Sequence, residues 1–293
     1  MHSNTDFESM LGTSVLNTTE NPRRNFLQTA IGVGFAAAAL PVCAQTMIQT
    51  EKKGLLEGVL EIDVQGQKIP VYRAQVQGKT NLPIVLVISE IFGVHEHIAD
   101  VARRFAHAGY LAIAPSLFVR QGDPNQYPVI GDLIKEVINK TPDAQVMSDL
   151  DAVVAWAAKN GGNPDQLAIT GFCWGGRITW LYAAHNPNVK TGAAWYGRMV
   201  GKATELQPHH PADVANKIKA PILGLYGAKD TGIPLDTIEQ MKTALGSNSR
   251  SQFKVYDHSG HAFHADYRPS YNKADADDAW QRCLTWFAEN LKK

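Results

Sequence analysis

The sequence predicts an α/β architecture: a mostly parallel, doubly wound sheet with helices on both faces and an antiparallel hairpin at its start. Three observations carry this. Four short, continuous apolar runs, Ile84–Ile88, Tyr110–Ala114, Gln166–Thr170 and Ile222–Tyr226, read as strands buried on both faces. Segments of helical period separate them, which implies right-handed crossovers between parallel strands. Ahead of them, LLEGVLEIDVQGQKIPVYRAQV alternates apolar and polar residues on either side of Gly66, the pattern of a hairpin.

Residues 1–44 stand apart from that pattern. Arg23-Arg24 precedes Phe26-Leu27, an uncharged Ala/Gly-rich run covers Thr29 to Leu40, and Val42-Cys43-Ala44 puts small residues at a cleavage site. This order of basic, apolar and small regions predicts a signal peptide, and the paired arginines predict the twin-arginine type. The run is shorter than the ~20 apolar residues of a membrane span. The lipoprotein-like Leu40-Pro41-Val42-Cys43 has bulky Val42 where a small residue is expected. The expectation is export by the twin-arginine translocation machinery to the periplasm or medium, with no stable membrane association after cleavage.

Residues 45–293 then form one domain, a length suited to a single large α/β unit. Of 28 basic and 28 acidic residues, the leader removes two and three, leaving 26 and 25. So even a balance offers no electrostatic footprint for nucleic acid. Only Cys173 and Cys283 remain, too few for a disulfide framework, so a free thiol in an oxidising compartment needs a reason. Gly192–Tyr196 and Gln252–Tyr256 are weaker strand candidates. Helices are expected over Ile98–Ala108, Asp143–Lys159, Arg177–His185, Leu235–Leu245 and Ala274–Leu291.

In such sheets sites gather where strands end at their carboxyl edge. After Thr170 comes Gly171-Phe172-Cys173-Trp174-Gly175-Gly176, a Gly-x-nucleophile-x-Gly elbow with cysteine as the nucleophile. The helix that follows favours a thiolate at its N-terminus. After Tyr226 comes Asp230, placed to accept a hydrogen bond from an imidazole, or alternatively to cap a turn. After Tyr256 come His258, His261 and His264. Their regular spacing means little in a loop, no carboxylate or Cys motif completes a metal site, and His261 follows a glycine that lets the loop turn inward. The order Cys173, Asp230, His261 is that of the α/β-hydrolases. No dinucleotide or phosphate-loop motif is present, and no cofactor is expected.

At this point the chain resembles the dienelactone hydrolase (carboxymethylenebutenolidase) family. Glu90-Ile91-Phe92-Gly93, Pro115 to Arg120, Gly171 to Gly176, Trp195-Tyr196-Gly197, Gly227 to Asp230 and Gly260-His261-x-Phe263 are each similar to a family motif. The resemblance implies an ester or lactone hydrolase working through a Cys173 acyl-enzyme. It implies that Glu90 holds the resting thiol neutral and swings away when substrate arrives. Backbone amides of Ile91 and Trp174 would form the oxyanion hole, Arg120 would bind a substrate carboxylate, and Tyr196 would line the pocket. One departure stands out: the second arginine expected four residues after the histidine is Ala265 here, with Arg268 three residues later. The insertion Met199 to Pro211, carrying His209-His210, is expected at the pocket mouth. A general small-ester or thioester hydrolase, or a thiol sensor on the same fold, is the alternative.

Overall fold

The computed structural model describes residues 47–291, so the expected leader lies outside the described residues. The hairpin forms as two ten-residue strands, β1 (Leu55–Val64) and β2 (Gln67–Val76), turning at Gln65-Gly66. Six parallel strands follow: β3 (Leu82–Ile88), β4 (Leu111–Pro115), β5 (Gly162–Phe172), β6 (Val189–Trp195), β7 (Ile222–Gly227) and β8 (Gln252–Tyr256). They join one eight-stranded sheet in the order β1-β2-β4-β3-β5-β6-β7-β8, with β2 antiparallel to β4 and every later pair parallel.

The helices are α1 (Glu96–His107), α2 (Ile130–Glu136), α3 (Asp143–Lys159), α4 (Trp174–His185), α5 (Leu235–Leu245) and α6 (Lys273–Asn290). Helices α3 and α5 have the bounds expected from the sequence. Helix α4 starts three residues earlier than expected, because the turn straight after Cys173 is already helical. Helix α2 was not expected: seven residues are too few to show a period of 3.6.

The apolar runs lie where continuous burial demands. Ile84 to Ile88 and Leu111 to Ala114 are fully buried, which a strand can be only when both sheet faces are covered. Polar groups within this core are satisfied locally. Thr170 Oγ1 donates to the Ala193 carbonyl and accepts from Trp195 Nε1, both at 2.9 Å. Switch points in the strand order bring the ends of β3, β5, β7 and β8 to one edge of the sheet.

The insertion Met199 to Pro211 packs against neighbouring helices. It is tied to the start of α3 and to α4: Asp143 N–H donates to Leu206 O at 2.9 Å, Gln207 Nε2 to Ile138 O at 3.0 Å, and Arg177 to His209 O at 2.7 Å. Arg177 in turn holds the Asp143 carboxylate with two bonds of 2.7 Å. The segment is spent on fastening helices together, and it borders a cleft of about 240 Å³ lined by Asp143, Met147, Leu181 and His209.

Candidate active site

The elbow is built by close approach. Cys173 caps α4 with φ 55° and ψ −113°, a strained conformation for a side chain with a Cβ. Two glycines permit it. A Cβ on Gly171 would come within 2.2 Å of the Gly175 carbonyl oxygen, and one on Gly175 within 2.3 Å of the Ile88 carbonyl oxygen. The Cys173 N–H is taken by the Trp195 carbonyl at 3.0 Å, which pins the strained residue to β6. By contrast, neither the Ile91 nor the Trp174 amide is taken by an acceptor among the described residues. Both remain free to donate at the elbow.

Asp230 and His261 meet across the loops after β7 and β8. His261 Nδ1 lies 2.7 Å from Asp230 Oδ2, and Asp230 Oδ1 accepts the Gly232 amide at 3.0 Å. The carboxylate is therefore oriented from both sides and serves the imidazole rather than a helix cap. His261 is buried, and burial alone would lower its pKa. The Cys173 sulfur and the Asp230 carboxylate outweigh that and hold it up at about 10. Its Nε2 makes no hydrogen bond of ordinary geometry. Ala262, with φ 61°, turns the chain immediately after it.

Glu90 is buried at the end of β3, and the structure shows no hydrogen bond from it to Cys173. Its Oε2 stands 3.4 Å from His95 Nε2, and Tyr267 OH reaches its Oε1 at 3.5 Å. Burial would raise the carboxyl's pKa, but His95 and His97 overcome that and hold it well below the usual carboxylate range. Glu90 does not cap α1, whose N-cap position is His95 and which has no side-chain cap hydrogen bond. Tyr196 is fully buried with φ 38°, its ring edge-on to His261 at 5.1 Å, its hydroxyl unpartnered.

Arg120 corrects an expectation. Instead of pointing a free guanidinium at the pocket, it grips Asp149 of α3 through bonds of 2.6 and 2.9 Å. Asp149 is almost wholly buried, and burial keeps its pKa raised even with the arginine in place. A buried carboxylate demands a partner, and the bidentate fork supplies one. Arg268 is placed differently. Its guanidinium carbon lies 5.7 Å from the centroid of Phe92, and its charge is felt at the hydroxyls of Tyr196 and Tyr267. No carboxylate among the described residues lies within ion-pair distance of it.

Of the other histidines, His258 is exposed. His264 is fully buried between Phe172, Trp195 and His97, and burial drives its pKa well down, so it is neutral. Sequence reasoning overlooked His95, His97, Asp149, Asp266 and Tyr267. His97 and Asp266, Tyr267 and Glu90, and Asp149 and Arg120 are distant in the chain; only His95 lies near its partner, Glu90, and proximity to that motif was its one local signal.

A cysteine elbow, a histidine and a carboxylate at three strand ends of this sheet define a hydrolase of the α/β-hydrolase fold. Comparison with known proteins narrows it further. The chain belongs to the dienelactone hydrolase family, whose model matches residues 69–291. It is 52% identical over 288 residues to a Methylorubrum extorquens protein described as "Putative carboxymethylenebutenolidase", covering 97% of this chain and 98% of that one. An Escherichia coli relative with the same description is 51% identical, over 87% of this chain and 95% of its own length. Among solved structures, one from Klebsiella pneumoniae, described as a "Putative Dienelactone Hydrolase", superposes with a TM-score of 0.79 at 55% identity, covering 80% of this chain and 99% of that one.

Proposed function

We propose that this hydrolase opens a carboxylic ester or lactone through a Cys173 acyl-enzyme. The observation that carries the reading is the placement of His261 Nδ1 2.7 Å from Asp230 Oδ2, with the elbow cysteine acting on the same ring. The sulfur attacks the carbonyl carbon, and the carbonyl π electrons move to oxygen, stabilised by the amides of Ile91 and Trp174. Collapse breaks the C–O bond, and the leaving alkoxide takes the His261 proton. His261 then draws a proton from water, whose oxygen attacks the thioester and frees Cys173. In a lactone the alcohol stays attached, so the product is one hydroxy acid. Asp230 keeps the ring in one orientation throughout.

The relatives' description as carboxymethylenebutenolidases supports a lactone that carries a carboxylate. Arg268 suits that group better than Arg120, since no carboxylate among the described residues engages its fork. Hydrolysis of p-nitrophenyl acetate and of a dienelactone by the mature protein, beside Cys173→Ala, tests the core of this. Loss of both activities by at least about 10³-fold is expected. Turnover retained in Cys173→Ala would overturn the acyl-enzyme.

Export is proposed on the arginine pair and apolar run of residues 21–44. Changing Arg23 and Arg24 together to Lys is expected to leave the unprocessed chain inside the cell. Unaltered processing would argue against the twin-arginine route.

A further inference from the structure

Every group around Glu90 matters to where its charge goes. The carboxylate is buried at the end of β3 and faces His95 and His97 at the start of α1 and Tyr196 from the end of β6, whose hydroxyl also feels Cys173 at the elbow. The loop after β8 brings Tyr267 and Arg268. In a dry pocket a carboxylate needs a proton or a cation close by. Two neighbours compete for that role: the thiol of Cys173, by sharing its proton, and the ring of His95, by carrying one.

The ion-pair contact in the structure is with His95. Glu90 Oε2 is 3.4 Å from His95 Nε2, and no hydrogen bond links it to the sulfur. The His95 ring is itself held. It packs edge-on against Tyr267 at 4.9 Å and stacks with His97 at 6.1 Å. His97 Nδ1 is anchored 2.8 Å from Asp266 Oδ1, and the Ile48 amide binds Asp266 Oδ2 at 2.9 Å. The imidazole thus has a fixed position, with its Nε2 within ion-pair distance of the carboxylate but not hydrogen-bonded to it.

We propose that His95 is a positioning residue that, with a proton on its ring, holds the Glu90 carboxylate away from Cys173 before any substrate arrives. This rests on Cys173 being the nucleophile and Glu90 the group that restrains it. In place of an acid that leaves the thiol only when substrate enters, the enzyme is poised at rest, with the sulfur left to His261. Without a charged His95, Glu90 loses its counter-ion, turns to the thiol and accepts its S–H, which keeps the sulfur protonated and slow. The depressed pKa of Glu90, set against the raising effect of burial, agrees with this placement.

The test is the rate of Cys173 alkylation by iodoacetamide at pH 7, without substrate, in the full mature chain. The other cysteine, Cys283, is fully buried, and burial pushes its thiol pKa up, so it contributes little. His95→Asn is expected to slow alkylation about tenfold, the effect of one pKa unit on the thiolate fraction. Glu90→Gln added to it should restore the wild-type rate, because an amide exerts no charge on the thiol. A wild-type rate in His95→Asn overturns the proposal. Equal slowing with and without Glu90→Gln also overturns it, since His95 would then act through packing alone. If His95→Asn does not fold, His95→Gln is held to the same two comparisons. Failure of the nucleophile reading shows separately, as retained turnover in Cys173→Ala.

Discussion

Two regions line this site and obey different rules. The elbow side, formed by the ends of β5, β7 and β8, places Cys173, Asp230 and His261 by local turn geometry: glycines that admit close approach, a strained φ and short loops. The mouth side, formed by the loops after β3 and β4 and by residues 265–268, is governed by which distant group meets each charge. There one arginine, Arg120, is locked to Asp149, while another, Arg268, lies across Phe92 with no carboxylate among the described residues at ion-pair distance. The difference teaches that a motif fixes a residue's role where the backbone does the positioning. It does not where an ionic partner does.

The largest effect expected is on the elbow side. Gly175→Ala would drive a Cβ to 2.3 Å from a backbone oxygen of β3, which cannot yield as a flexible side chain would. Loss of soluble folded protein, or of all turnover, is the expected outcome on expression and assay. A folded variant with normal kinetics would show that the elbow is not as tight as described.

Next, Asp230→Asn should reduce kcat by on the order of 10³-fold, by letting the imidazole lose its orientation and tautomer. It should also alter the pH profile. Cys173 and Asp230 both favour the protonated ring, so His261 keeps its proton below, and loses it as pH rises through, about 10. The basic limb of kcat/KM is expected near that value in the wild type and lower in the variant, where one raising charge is gone. A limb that did not move would exclude Asp230 as a source of the shift.

The comparison itself is sharpened by exchanging the two arginines' expected fates. Arg268→Ala should raise KM for a carboxylated lactone by about 30-fold, the equivalent of one charge-assisted hydrogen bond, and spare p-nitrophenyl acetate. Arg120→Ala should leave that KM nearly unchanged. It should cost about 2 kcal/mol of stability in urea unfolding, because Asp149 is left buried without its cation; Arg120 is itself partly exposed, which keeps the figure modest. The opposite pattern would return the anion-binding role to Arg120.

The smallest effect concerns His264. Its folded pKa is depressed by burial, so the unfolded chain binds the proton more readily, and stability is lost as pH falls below about 6.5. His264→Phe should flatten that acid slope by up to about 1.4 kcal/mol per pH unit, read from urea midpoints between pH 4 and 7. An unchanged slope would mean that another group controls it.

Much of this was legible in the chain. The four main strands, the hairpin, helices α3 and α5 and the three residues at strand ends follow from hydrophobic continuity, period and glycine spacing, all of which act between near neighbours. Helix α2 escaped because seven residues cannot display a period. The course of Met199 to Pro211 escaped because its partners, Ile138, Asp143 and Arg177, are brought to it only by folding.

By itself, the sequence determined a doubly wound sheet, the cysteine elbow, and an acid and a histidine in the order of an α/β-hydrolase. These depend on backbone sterics and burial, which a short stretch of residues dictates. The tertiary structure alone decided that Arg120 serves Asp149, that Arg268 lies beside the site, and that Glu90 rests against His95. Charge pairing in a buried setting is settled by distance and desolvation, and both arise only when elements remote in the chain pack together.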